Sequence, residues 1–398
     1  MQNLKLSLHH VGGRGGSRTF PVPEIFEKDL INILYDADDR SHSGIKDYYK
    51  NKESDTHVLP YALSDKCKTI LFNINKDPNT NSVFETNNNY HLFYRNYPHL
   101  DYLVKEAYET EEKKKMDFVS FDFLYKEKKI TQPKPDFISL ITGSSEYDIL
   151  KGANETLTEN ILGINCEVHL HSFRNGQKNF SDLQKYLDEK GFYFVNFFTP
   201  YRYSEDKIDI QSFSPFRYPL GLRGDGFDVV VHVLFLRKIE EIENLTLDPY
   251  TRYIHYRKLS FISLLFNQTE YGLECLKYSN KYQIEKNNLH EKYIYLNFLD
   301  EIKVAENNHA KIYPKTFNEF NKTNIKKELK FEKKIEKNII KSLIKKIPFA
   351  VVLFRFLASF FKLGRKNENT KFEKVFIKYG LINQANLIMK KRINSLHK

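Results

Sequence analysis

Residues 136–187 constrain the fold more than any other stretch of this 398-residue chain. Phe137–Ile141 is a short apolar run, and Gly143-Ser144-Ser145 breaks it. From Glu146 to Glu159 the apolar residues recur at three-to-four spacing, as along one face of a helix. Leu162–His169 is a second apolar run, and Ser181–Lys190 is again helical, with Ser181 placed as its N-cap. Strand, turn, helix, strand, helix is the pattern of parallel pairing, because parallel neighbours need a crossover and a helix usually supplies it.

The same alternation extends in both directions. Leu6–Gly12 reads as a first strand ending in the glycine turn Gly12-Gly13-Arg14-Gly15-Gly16, with a helix expected over about Pro23–Lys28. Leu30–Asp36 is an apolar run ending in an acid, as a buried parallel strand does. His57–Leu63 is the next strand, and Thr69–Asn73 alternates as an inserted strand would. Residues 74–135 are rich in Asn, Tyr and Lys and read as an irregular lid or insertion. Phe192–Phe197 and Asp228–Phe235 follow each other without a helical pattern between them, which predicts an antiparallel edge. Residues 251–285 predict a helical hairpin forming the core of an appended domain.

Charge is unevenly placed. Residues 321–398 hold 21 Lys/Arg and 5 Asp/Glu, a net of +16. The remainder carries 41 of the 62 basic and 46 of the 51 acidic residues, a net of −5. A basic tail on a mildly acidic body predicts contact with an anionic surface, and the acidic body argues against nucleic acid. Within the tail, Ile347–Leu363 is apolar, with Arg355 at its centre. It is short for a bilayer span, which takes about 20 residues. Its phenylalanines, flanked by Lys345, Lys346, Lys362 and Arg365, suit a helix lying in an anionic membrane surface; docking on the protein body is the alternative. Cys67, Cys166 and Cys275 show no metal-ligand spacing and read as reduced structural thiols. No apolar signal region follows Met1, so the expected location is cytoplasmic, or peripheral at the inner face of the cytoplasmic membrane. The Lys, Asn, Ile and Phe bias is one expected of an AT-rich bacterial genome more than of any function.

In an open parallel sheet, ligands bind outside the carboxyl ends of the strands. Gly12 and Gly16 sit where backbone must approach a ligand closely, although a tight surface turn needs glycines too. Asp36, about twenty residues on at the end of the second strand, can accept both hydroxyls of a ribose. Its plainer reading is a strand-end turn acid. His171 is the best base by chemistry, because an imidazole titrates near neutrality. His169 and His171 share a strand face, however, and a hydrogen-bonded structural histidine is the commoner case.

Several segments in order resemble the FkbM family of S-adenosylmethionine (SAM)-dependent methyltransferases over about residues 8–240. These are HVGGRGGSRTFPVP, ILYDADD, LPYALSDKCKTILFNINKDPNTNSVFETN, SFDFL, DFISLITGSSEYDILKGA with ILGINCEV, and GFDVVVHVLFLRK. The resemblance implies an α/β fold: a Rossmann-like class I methyltransferase fold, doubly wound and mostly parallel with an antiparallel edge, plus a helical C-terminal extension. It implies three regions, a methyltransferase domain at 1–240, a helical extension at 241–305 and the basic tail at 306–398. It implies SAM as cofactor, held by Gly12, Gly16, Asp36, Ala62 and Ser64, and methyl transfer to a hydroxyl of a saccharide or surface-glycan precursor. Glu146 is kept from the family's pattern and, with His171, is the candidate for catalysis.

Two positions depart from that pattern. The family usually has an aspartate two residues before the first glycine, where this chain has His10. Its fourth strand usually ends in an aspartate beside the sulfonium and the acceptor, where this chain has Ile141. Isoleucine can neither orient nor deprotonate an acceptor. Glu167, His169 and His171 stand near the end of the next strand to replace that polarity. The rival reading is a catalytically degenerate binding or scaffold protein at the membrane.

Overall fold

The computed structural model describes residues 4–12, 20–36, 39–87, 95–97, 104–204, 227–282 and 292–307, together with Val375 and 378–380. In chain order the elements begin with β1 (Leu6–Val11), β2 (Leu30–Tyr35), α1 (Asp39–Tyr49), β3 (Asp55–Leu59), β4 (Ala62–Ser64), β5 (Lys68–Asn75) and β6 (Arg95–Tyr97). Next come α2 (Val104–Ala107), β7 (Thr110–Ser120), α3 (Phe121–Lys126), β8 (Phe137–Leu140), α4 (Glu146–Gly152), α5 (Asn154–Glu159) and β9 (Gly163–His169). The last are α6 (Phe180–Glu189), β10 (Phe192–Ser204), β11 (Phe227–Arg237), α7 (Ile239–Asn244), α8 (Pro249–Leu265), α9 (Thr269–Ser279) and α10 (Ile294–Asn307).

The main sheet has the order β3-β2-β1-β8-β9-β11-β10-β6. β3, β2, β1, β8 and β9 pair in parallel, and β11 runs antiparallel between β9 and β10. With the short flanking β6 and the three-stranded insert set aside, the order is 3-2-1-4-5-7-6 with strand seven reversed, the Rossmann-like class I methyltransferase fold. The predicted antiparallel edge is therefore present, extended by β6.

The two faces of the sheet are covered differently. On one, Val11, Ile33, Tyr35, Ile138, Leu140, Ile164, Cys166, Val231, Val233 and Phe235 pack against Phe121, Leu124, Ile149, Leu150, Leu157, Leu183 and Leu187 from α3–α6. On the other, β1 is followed, among the described residues, only by the six-residue 3-10 helix Glu24–Asp29 before β2 begins. The helix expected over about Pro23–Lys28 is present as this short 3-10 helix, and the C-terminal helices take over the cover. Phe26 meets Phe261 of α8 at 4.9 Å and Phe298 of α10 at 5.7 Å between ring centroids. Phe137 stacks on Phe266 at 5.5 Å and meets Phe20 at 4.7 Å. Gly163 leaves room for the Phe137 ring and, beyond it, Ile262. Polar anchors fix the layer: Lys258 Nζ donates to Asp136 at 2.7 Å, and Tyr295 N–H donates to Asp29 at 2.7 Å.

Several local expectations are corrected. The single helix expected over Glu146–Glu159 breaks into α4 and α5 at Ala153, because α4 lies directly on β4; a Cβ on Gly152 would stand 2.1 Å from the Ser64 carbonyl oxygen. The strand expected over His57–Leu63 splits around Pro60, which has no N–H for a ladder. The N-cap of helix α6 lies two residues earlier than the expected Ser181: it is Asn179, whose N–H donates to Asp182 at 3.1 Å. Residues 74–135 are not irregular throughout, since β7 pairs with β4 and β5 in a second, three-stranded sheet. The chain divides into two compact units, residues 1–300 and 301–398. In the second, Glu301 accepts from Tyr379 Oη at 2.9 Å and Lys378 Nζ at 2.6 Å. The apolar stretch 347–363 lies outside the described residues. Among the described residues no helix is long and apolar enough to cross a membrane.

Candidate active site

The carboxyl ends of β1 and β2 bring Gly12 and Asp36 together. Val11 pairs with Tyr35, and Gly12 N–H donates to the Tyr35 carbonyl at 3.2 Å, so the next residue, Asp36, neighbours the glycine. Gly12 has φ +86°, and a Cβ there would lie 1.8 Å from the Ile141 carbonyl oxygen. Only glycine fits, because both the backbone region and the space exclude a side chain. Asp36 is half-buried, its N–H tied to Leu59 at 3.2 Å and its carbonyl to His42 Nε2 at 2.7 Å. Its backbone is thus fixed at the strand end. Gly16 lies outside the described residues. Ala62 and Ser64 belong to the second sheet; Ala62 is half-buried, and buried Ser64 donates its hydroxyl to Asp65 at 3.1 Å beneath α4.

The turn after β8 is held from inside. Gly143 has φ +63° and Ser144 φ +91°, so two successive residues take the left-handed region. Such a backbone persists only where its surroundings over-determine it. Glu146 does this: it is 4% exposed and accepts from Thr142 N–H at 2.8 Å and Thr142 Oγ1 at 3.0 Å. Burial pushes its carboxyl up, against the hydrogen bonds that favour the charged form. Ser144 Oγ contacts His169 Nδ1 at 3.3 Å, and Ser82 Oγ donates to the Gly143 carbonyl at 2.6 Å.

The insert closes over this end of the sheet. Asn87 N–H donates to Phe173 and Asn175 N–H to Glu85, each at 2.8 Å. Arg174, 2% exposed, donates to the Thr80 carbonyl at 2.7 Å and stands 5.0 Å from the Tyr108 ring centroid. His169 is buried with its ring 4.4 Å from Phe173, and burial together with Arg174 holds its imidazole well below the usual range. His171 stands half-buried two residues past β9, its carbonyl accepting from Gln177 Nε2 at 2.9 Å.

Across β9 and β11, Glu167 pairs in register with His232. Their side chains are 19% and 12% exposed, with Oε2 and Nε2 3.6 Å apart. Burial and the nearby Glu146 push Glu167 up to about 7, and burial lowers His232. Desolvation thus outweighs attraction in this pair. Sequence reasoning placed Glu167 near the site but missed His232 and Arg174. The register of the two antiparallel strands INCEVH and VVHVLF would have found His232; nothing local marks Arg174.

No family model matches the sequence, and no curated protein matches it. Among solved structures the chain is similar to methyltransferase FkbM from Methylobacillus flagellatus KT, at 11% identity and TM-score 0.30 over 58% of this chain and 44% of that one. It is also similar to precorrin-6y C5,15-methyltransferase from Geobacter metallireducens GS-15, at 9% identity and TM-score 0.26 over 60% and 82%. A third is a TehB-like SAM-dependent methyltransferase from Corynebacterium glutamicum, at 10% identity and TM-score 0.24 over 58% and 80%. The chain thus spans less than half of the first of these proteins. Strand order and direction by themselves define the fold.

Proposed function

We propose that this chain is a SAM-dependent methyltransferase acting on a hydroxyl, of a saccharide or other surface-glycan precursor. The observation that carries the proposal is Gly12 beside Asp36 at the carboxyl edge of a 3-2-1-4-5-7-6 sheet. The residues present suit a nucleoside: a glycine with no side chain to obstruct approach, and a carboxylate able to accept two ribose hydroxyls. When bound, SAM supplies an electrophilic methyl on a positively charged sulfur. Gly12 and Asp36 would orient it, and the insert fastened by Arg174 and Ser82 would limit water above β8 and β9. The saccharide acceptor follows from the family resemblance, not from these side chains. The degenerate scaffold remains the second reading because an isoleucine ends the β8 segment.

SAM or S-adenosylhomocysteine is expected to raise the melting temperature, since a ligand that binds only the folded state stabilises it by about 2.7 kcal/mol at a hundredfold excess over Kd. Asp36→Ala should reduce that shift. No shift with either ligand at millimolar concentration would leave the scaffold reading.

The basic, Phe-rich tail suggests peripheral attachment to an anionic membrane. Full-length protein is expected to co-sediment with anionic liposomes and to release with salt, because exposed charges are screened within about 10 Å at 0.1 M. A truncation ending at Phe320 should stay in the supernatant. Equal sedimentation of both forms would remove the tail from this role.

A further inference from the structure

Ile141 leaves the fourth strand without its terminal carboxylate, and the sheet supplies another one strand away. Leu140 pairs with Cys166, so the residues that follow them, Ile141 and Glu167, lie side by side, and Glu167 pairs in turn with His232. Gly12 completes the row, packed against the Ile141 carbonyl. Four neighbouring strands therefore present Gly12, Ile141, Glu167 and His232 along the carboxyl edge, where ligands of such sheets bind. The other ionisable candidates nearby are committed elsewhere. Glu146 closes the 142–146 turn, and His169 is pressed between Ser144 and Phe173. Glu167 keeps part of its side chain open to solvent.

We propose that Glu167, beside His232 in the register of β9 and β11, is the counter-charge for the cationic sulfur of the cofactor, taking the electrostatic place that Ile141 vacates. The proposal rests on the reading of the site as a SAM site. It makes the two forms of the cofactor distinguishable: SAM carries the positive sulfur and S-adenosylhomocysteine does not, while their adenosine and amino-acid parts are the same. The charged and titratable groups near Glu167 are His232 on β11, Glu146 on α4, Arg174 in the loop after β9 and the preceding Cys166, whose side chain lies on the other face of the sheet; His10 of β1 is near His232. Burial and Glu146 oppose ionisation of Glu167, Arg174 favours it, and a bound cation would favour it further.

The test is calorimetric titration of the full chain with SAM and with S-adenosylhomocysteine between pH 6 and 8. Wild type is expected to prefer SAM at pH 8 by at least about threefold, the attraction of two unit charges a few ångströms apart under strong screening. That preference should shrink towards pH 6 as Glu167 takes up its proton. Glu167→Gln should bind S-adenosylhomocysteine as wild type does and lose the preference. Adding Ile141→Asp to Glu167→Gln should restore it by returning a carboxylate to the same row. Wild type that binds neither ligand would end the SAM-site reading and this proposal with it. Wild type that binds both with a ratio flat across pH, or a Glu167→Gln protein with the wild-type ratio, would overturn the role of Glu167 and leave the nucleoside site standing. The wild-type pH series decides the matter even where a variant fails to fold.

Discussion

Lys258→Ala is expected to destabilise the protein by about 3–5 kcal/mol, the cost of stranding a buried charge. Lys258 and Asp136 are 4% and 10% exposed at their side chains, with Nζ and Oδ2 2.7 Å apart. The same carboxylate oxygen accepts the Ser7 N–H of β1 at 2.8 Å. The ammonium thus ties α8 to the start of β8 and to the neighbouring strand. Without it, the Asp136 charge faces an apolar layer of Phe137 and Phe266. A domain stabilised by about 5–15 kcal/mol loses a large share of its margin. The double replacement Lys258→Met with Asp136→Asn should cost less than Lys258→Ala, because no full charge is then left unpaired. Urea denaturation measures both. A single-variant cost below about 1 kcal/mol, in the range of exposed pairs, would show that the charge is solvated after all.

His10 is expected to make the fold acid-sensitive. Burial, chiefly, pushes its imidazole down from 6.5 to about 4, and its Nδ1 finds no hydrogen-bond partner among the described residues. Between those two values the unfolded chain binds a proton that the folded chain refuses. The stability attributable to neutral His10 is therefore complete above pH 6.5 and lost progressively as pH falls to about 4. The loss is on the order of 3 kcal/mol when complete. Asp29, pushed up to about 6 mainly by burial, and Glu167, pushed up to about 7, work in the opposite direction. The informative quantity is therefore the difference between wild type and His10→Gln. The variant should gain about 3 kcal/mol relative to wild type between pH 7 and pH 4. Parallel stability curves would show that His10 is solvated or paired in the fold.

The sheet was legible because buried parallel strands read as apolar runs with turns between them, as LINILY and FISL do. The second sheet was not, for a physical reason. Most of β7 is exposed and its sequence, TEEKKKMDFVS, is charged until Met116, so no buried face imprints an alternation. Helix α8 was visible, but its role in covering the main sheet was not. It is buried almost all round, and its Arg257 and Lys258, which look like a solvated face in sequence, meet Asp300 and Asp136. Within the site, glycine and acid at strand ends were readable because they are local. Glu167 and His232 stand 65 positions apart in sequence and become a pair only through the register of β9 with β11.

The shortness of the first crossover has a consequence for how the chain is made. β1, β2 and β8 are central strands, yet one of their faces is closed by α8, its C-cap Phe266 and the start of α10. A ribosome adding about 5–20 residues per second delivers that cover on the order of 3–12 s after β11 has been synthesised. During that interval Phe26 and Phe137 lack the aromatic partners that later bury them. The nascent chain is then a sheet with one greasy side, the kind of client that holding chaperones protect, and its final folding step waits for the helices that arrive last.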